Sequence, residues 1–137
     1  LGAILRTADA SGIDAVIVCD AKTDIYNSNV IRSSIGCVFS KQVVAATSEE
    51  VMQFLKEKKI RSFAAALTAK HSYTDSDLSG SSAIVMGTEA DGLSEQWLKG
   101  ADEQIKIPML GKTDSLNVSA SCAVIVYEAV RQRSIQK

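Results

Sequence analysis

Apolar runs of strand length alternate with segments of helical spacing along this chain, and few folds accommodate that order. Ala15–Cys19 (AVIVC) reads as the first strand, and Val38–Ala46 as a second, diluted by Ser40, Lys41 and Gln42. Ser62–Thr68 (SFAAALT), Ala83–Met86 (AIVM) and Ile105–Ile107 supply three more. Helical segments separate them. A short helix from Gly2 ends near Gly12, and another over Asn27–Gly36 is stopped by Gly36. Thr47-Ser48-Glu49-Glu50 reads as a capping box, in which a hydroxyl and a carboxylate satisfy each other's backbone donors. The helix it starts places Val51, Phe54 and Leu55 on one face and ends in Lys56, Lys58 and Lys59, cations that suit the negative end of the dipole. Residues 69–82 read as a polar loop. In the last helix, Val118 to about Arg133, the residues Val118, Cys122, Ile125, Val126, Ala129 and Val130 recur at core spacing. This order predicts one α/β domain over residues 1–137, with a mostly parallel sheet covered by helices on both faces.

At 137 residues, 46% of them hydrophobic, such a domain buries a core without disulfides or metals. Fifteen Lys+Arg against 16 Asp+Glu leave a formal net charge of −1, so bulk charge offers no polybasic grip on nucleic acid. No apolar run approaches the ~20 residues that span a bilayer. The first residues also lack the basic-then-apolar order of a signal peptide, and a cytoplasmic protein with no membrane partner is expected. Cys19, Cys37 and Cys122 are scattered in apolar surroundings, and His71 is the sole histidine. Without close-spaced ligand pairs no metal site is expected, and the cysteines read as reduced, buried thiols. Because the chain begins at Leu1 and enters a structured pattern at once, it reads as a piece of a longer protein.

Ligands of open parallel sheets gather where loops leave the carboxyl ends of strands, which directs attention to 87–94 and 108–117. Gly111-Lys112-Thr113 is similar to the tail of a phosphate-binding loop, but Lys106 stands where that motif requires glycine. A G-x-G-x-x-G fingerprint is absent too. Gly87-Thr88-Glu89-Ala90-Asp91-Gly92 has glycines at both ends, which permit a tight turn and close backbone approach to a ligand. Glu89 could accept hydrogen bonds or anchor a cation there; the same stretch also suits an ordinary strand-to-helix turn with Ser94 as cap. Ser115, Asn117 and Ser119 stand where the last helix begins. Asn117 or Ser119 can cap that helix, and its free N–H groups can instead meet a carboxylate or phosphate. Taken alone, Arg6 is a solvated helix residue.

Taken in order, these segments resemble the SpoU (TrmH) family of SPOUT RNA methyltransferases. Leu1-Gly2-Ala3-Ile4-Leu5-Arg6 is similar to the family motif Asn-x-Gly-Ala-Ile-x-Arg from its second position. Val85-Met86-Gly87-Thr88-Glu89-Ala90-Asp91-Gly92-Leu93 resembles the second motif. The third corresponds to Ile107-Pro108-Met109 through Ser115-Leu116-Asn117-Val118-Ser119. Arg32-Ser33-Ser34-Ile35-Gly36 is similar to the family's Arg-x-Ser-x-Gly helix. The resemblance implies a SPOUT-type fold whose C-terminal segment is threaded into a trefoil knot. It further implies S-adenosylmethionine as methyl donor, S-adenosylhomocysteine as product, no metal, and a homodimer with active sites near the subunit interface. The implied substrate is a ribose 2′-hydroxyl of rRNA or tRNA, with rRNA favoured if an RNA-binding domain precedes Leu1.

By the same resemblance, Arg6, Glu89, Ser115 and Asn117 are the expected catalytic group, with Glu89 holding the guanidinium. Leu67, Gly87, Glu89, Gly92, Ile107, Met109, Leu116 and Asn117 are expected around the cofactor, and Arg6, Arg32 and Ser33 on RNA. Arginine stays protonated at neutral pH and makes a poor general base; orienting phosphate and ribose and stabilising a developing alkoxide is the role its chemistry allows. The competing reading is a non-catalytic dimer module that binds the methyl donor or RNA.

Overall fold

The computed structural model describes residues 2–13, 15–19, 42–87, 93–112 and 116–135. Among these, every strand pairing is parallel, as the alternation of elements predicts. The chain forms two units, Leu1–Val51 and Met52–Lys137.

In the first unit, helix α1 (Gly2–Ser11) leads to β1 (Ala15–Cys19), which pairs with β2 (Gln42–Ala46) from Ala15 beside Gln42 to Cys19 beside Ala46. The expected helix at Asn27–Gly36 and the start of the second strand, 38–41, lie outside the described residues. Gly12 stops α1 in the left-handed region, at φ 78°. Its N–H donates to the Asp9 carbonyl at 3.4 Å, and the Ile13 N–H to the Ala8 carbonyl at 3.0 Å. These nested bonds satisfy carbonyls that the helix end would leave open.

Helix α2 (Ser48–Glu57) begins with the predicted capping box. The Glu50 N–H donates to Thr47 Oγ1 and the Thr47 N–H to Glu50 Oε1, both at 3.1 Å. Val51 and Leu55 are buried, whereas Phe54 is 45% exposed. The apolar face is therefore narrower than expected: the i, i+4 pair makes the buried stripe and Phe54 falls on its solvent side. The far end of α2 repeats the nested pattern of α1, with the Lys59 N–H on the Lys56 carbonyl and the Ile60 N–H on the Leu55 carbonyl. Here the left-handed position is held by Lys59, at φ 57°.

The second unit is built on a four-stranded parallel sheet in the order β4-β6-β3-β5, where β3 is Arg61–Ala65, β4 His71–Ser72, β5 Ser82–Val85 and β6 Glu103–Lys106. β3 is paired on both edges, and its middle residues Ser62, Phe63 and Ala64 are all buried, as in a sheet covered by helices. The strand ends sooner than the SFAAALT run suggests. After a last ladder bond from the Ala66 N–H to the Ile105 carbonyl, the Ala69 N–H closes a turn onto the Ala66 carbonyl. The expected loop at 69–82 contains β4 and a short 3₁₀ turn, Tyr73–Asp75, capped by Ser72. An edge strand needs one neighbour and little burial, so its polar sequence hides it.

Helices α3 (Glu95–Gly100) and α4 (Val118–Ile135) take opposite faces of this sheet. On β6, Ile105 packs in the core with Phe63, Leu78 and the α4 residues Ile125 and Ala129. The preceding side chain, Gln104, emerges on the other face and donates from Nε2 to the Leu98 carbonyl of α3 at 2.8 Å. Met52 of α2 reaches Gly100 of α3, where a Cβ would stand 2.8 Å from the flexible methyl end of the methionine. The expected threading of the C-terminal segment leads into α4 through 113–115, which lie outside the described residues.

A polar network fastens the far end of α4. Glu128 is only 8% exposed, and a buried carboxylate requires partners. Arg131 supplies two parallel bonds, Nε to Oε1 at 2.8 Å and Nη2 to Oε2 at 2.9 Å, and Gln132 Nε2 adds a third at 2.8 Å. Gln132 also donates to the Ser76 carbonyl at 3.0 Å and accepts from the Leu78 N–H at 2.7 Å. The Arg131 fork holds the Glu128 carboxyl below the usual carboxylate range, with Gln132 adding to the effect and burial opposing it.

Two outcomes are expected. Lys59→Gly relieves a left-handed lysine costing about 1–2 kcal/mol, against a glycine chain-entropy cost of about 0.5–1 kcal/mol. Thermal unfolding should therefore shift upward by about 2–4 °C. Because Glu128 is depressed in the folded state, its contribution is present above the ordinary glutamate range of about 4.3 and is lost as pH falls through the lower folded value. Urea midpoints measured from pH 6 to pH 3 should fall less steeply for Glu128→Gln than for the parent, from a lower starting value at pH 6.

Candidate cofactor and catalytic site

Parallel pairing of β5, β3 and β6 puts their carboxyl ends along one edge of the sheet. Ala64 lies beside both Val85 and Gln104, and Ala65 beside Ile105. The chain leaves that edge at 66–69, at 86–87 and at 107–112, so Leu67, Gly87, Ile107 and Met109 are brought to one end of the second unit. Asn117 reaches the same end by a different route. Gln132 and Arg133 tie the last turns of α4 to the backbone of Ser76, Leu78 and Gly80, just before β5 begins at the opposite edge. The helix runs back along the sheet, and its first residues stand toward the carboxyl edge.

Asn117 is the N-cap of α4. Its Oδ1 accepts from the Ala120 N–H at 2.8 Å, and its carbonyl accepts from the Ser121 N–H at 2.9 Å. Of the two capping residues the sequence allows, the structure selects Asn117. The cap occupies the amide oxygen and leaves the exposed Nδ2 hydrogens as donors for a ligand. Ser94 also caps its helix, accepting from the Trp97 N–H at 3.4 Å.

The described part of this edge exposes several leucines together with the polar Thr68, Lys112 and Asn117. Leu67 is 68%, Leu110 98% and Leu116 41% exposed, while Gly87, Ile107 and Met109 are half-buried. Apolar side chains and strand-end backbone at one end of a sheet suit a ligand having a flat heteroaromatic part. The described residues are compatible with the adenine end of an S-adenosyl compound. Arg6 lies on the exposed side of α1 in the first unit. Glu89, Gly92, Ser115, Arg32 and Ser33 lie outside the described residues. Among the described residues no three His, Cys, Asp or Glu side chains gather as a metal would require.

The opposite edge is closed by polar bonds. The Ser62 N–H donates to Asp102 Oδ2 at 2.8 Å, and the Asp102 N–H returns a bond to Ser62 Oγ at 2.9 Å. Arg61 Nη2 meets Glu103 Oε2 at 2.5 Å while its guanidinium carbon lies 5.2 Å from the centre of the Phe63 ring. At the carboxyl edge, Thr68 Oγ1 donates to Gln104 Oε1 at 3.2 Å. Neither Thr68 nor Gln104 belongs to a motif, so only the structure brings them into view.

Residues 1–127 match the SpoU rRNA Methylase family. The 23S rRNA (guanosine-2′-O-)-methyltransferase RlmB of Vibrio cholerae is 42% identical over 134 residues, covering 97% of this chain and 54% of that protein. Its counterpart in Escherichia coli K12 is 38% identical over 98% of this chain and 56% of that protein. The chain thus spans about half the length of these curated relatives. Among solved structures, an RNA 2′-O ribose methyltransferase superposes with a TM-score of 0.88 at 44% identity, over 97% of this chain and 51% of that one. The SpoU methyltransferase AviRb from Streptomyces viridochromogenes, in complex with AdoMet, superposes with a TM-score of 0.91 at 33% identity, over 98% of this chain and 55% of that one. By sequence and by fold, this chain belongs to the SpoU rRNA methylase family.

Proposed function

We propose that this chain is the catalytic part of an S-adenosylmethionine-dependent methyltransferase acting on a ribose 2′-hydroxyl of RNA, with 23S rRNA guanosine as the favoured target. The observation that carries the reading is the convergence of the 66–69, 86–87 and 107–112 exits with the Asn117 cap at one edge of a parallel sheet. The AdoMet complex of a structure sharing this fold, and relatives named for 23S rRNA, support the choice of donor and substrate. A homodimer working in the cytoplasm completes the proposal.

When bound, the donor supplies an electrophilic methyl group on a sulfonium. The protein has to align the attacking oxygen with that group, exclude water and favour loss of the hydroxyl proton. Alignment of this kind contributes as much as about 7–11 kcal/mol to lowering a barrier. Leu67, Ile107, Met109 and Leu116 supply apolar walls, and Asn117 Nδ2 supplies a donor whose direction is fixed by the helix cap. Arg6 orients the ribose and its phosphate with a planar fork of donors and stabilises the charge that develops on the oxygen. Glu89, Gly92 and Ser115 complete the cofactor loops, and Arg32 and Ser33 meet the RNA.

A tritiated-methyl assay on rRNA lacking the modification tests this reading. Incorporation at a ribose 2′-oxygen is expected, and Arg6→Lys should reduce turnover by about 10²-fold while leaving donor affinity within about twofold, because lysine keeps the charge and loses the fork. Donor binding without methyl incorporation into any RNA would identify a non-catalytic module instead.

A further inference from the structure

We propose that Gln104 and Thr68 are positioning residues of the methyl-donor site, acting through the turn that carries Leu67; the inference rests on the function proposed above. Gln104 lies on β6, two residues before the strand ends and three before Ile107. Its Oε1 accepts from Thr68 Oγ1 at 3.2 Å, and its Nε2 donates to the Leu98 carbonyl at 2.8 Å. Those two partners fix the orientation of the amide, because a carbonyl can only accept. Thr68 adjoins Leu67 in the turn after β3, and Leu98 belongs to α3, the helix that follows the 87–94 loop. One side chain therefore ties together the segments after β3 and after β5 from the strand that feeds the third exit.

What the tie holds in place is the turn that presents Leu67. The Ala69 N–H closes it onto the Ala66 carbonyl at 3.2 Å, and Ala69 is buried, yet the larger Leu67 stays 68% exposed. Here the small residue anchors and the large one is presented. With Thr68 bonded to Gln104, Leu67 is held ready as an apolar wall before any ligand arrives, which spares the ordering cost that a loose turn would add to binding.

Calorimetric titration with S-adenosylmethionine, with thermal unfolding of each variant alongside, tests the proposal. Thr68→Val and Gln104→Leu should each weaken binding by about three- to tenfold, the range for one lost hydrogen bond. The double variant should lie within about twofold of the weaker single one, since both remove the same tie. Thr68→Ser, which keeps the hydroxyl, should bind within about twofold of the parent. Parent protein that binds while Thr68→Val and Gln104→Leu bind equally well overturns this inference alone. So does weakening that Thr68→Ser fails to rescue and that tracks a loss of thermal stability. A parent that binds no S-adenosylmethionine overturns the function proposed above together with it.

Discussion

A strand with parallel neighbours on both sides has no free edge and no freedom to choose where its ends go, and β3 is such a strand. Burial of Ser62, Phe63 and Ala64 and the ladder to β5 and β6 fix its position. Since all three strands run the same way, their exits have to emerge together. The convergence of Leu67, Gly87, Ile107 and Met109 is thus a consequence of pairing direction. α4 then returns over the same sheet, burying Ile125 and Ala129 against Phe63 and Ile105, and its start is carried toward the same edge. Site and core are consequences of one arrangement.

The two ends of that sheet are finished in opposite ways. At the amino edge, Ser62 and Asp102 exchange bonds, Arg61 pairs with Glu103, and Gln132 bonds both Ser76 and Leu78, so polar groups are satisfied within the chain. At the carboxyl edge leucines remain in water. Burying one such side chain is worth about 1.5–3 kcal/mol, and Leu67 and Leu110 leave most of that unrealised in the fold. Closing one end with hydrogen bonds lets the other stay open without loosening the sheet.

The strongly patterned parts of this architecture were legible in the sequence. AVIVC, the Thr47–Glu50 box and Ser94 as a cap each encode local structure by a local rule, and each is present; in the last helix Cys122, Ile125, Val126 and Ala129 form the expected buried stripe, while Val130, at its margin, is 36% exposed. What stayed hidden depends on partners remote in sequence. β4 has only two residues and a polar composition, so its pairing with Ile105 and Lys106 leaves no periodic trace. Glu128 looks like a solvated helix residue until the buried side of α4 and its neighbour Gln132 are known. Phe54 has the spacing of a core residue and lies at the margin of the buried stripe. For the site, motif order pointed to the strand exits and to Asn117, but Thr68 and Gln104 are 36 residues apart and their bond has no sequence signature.

A net charge of −1 does not by itself exclude an RNA substrate, and four of the described cations are engaged within the chain. Arg61 pairs with Glu103, Arg131 with Glu128, Lys99 with Glu95, and Arg133 donates to the Gly80 carbonyl. These side chains serve the fold, and each would have to leave an acceptor before meeting a phosphate. Affinity gained by neutralising phosphates scales with the number of contacts, at a salt slope of about 0.9 per contact on a duplex, so these four side chains add little to a grip on nucleic acid. Under the proposed reading, discrimination then rests on shape at the carboxyl edge and on the geometry of individual donors such as Arg6 and Asn117 Nδ2. That division suits methyl transfer, in which placing one oxygen in line with one carbon matters more than holding a long stretch of backbone.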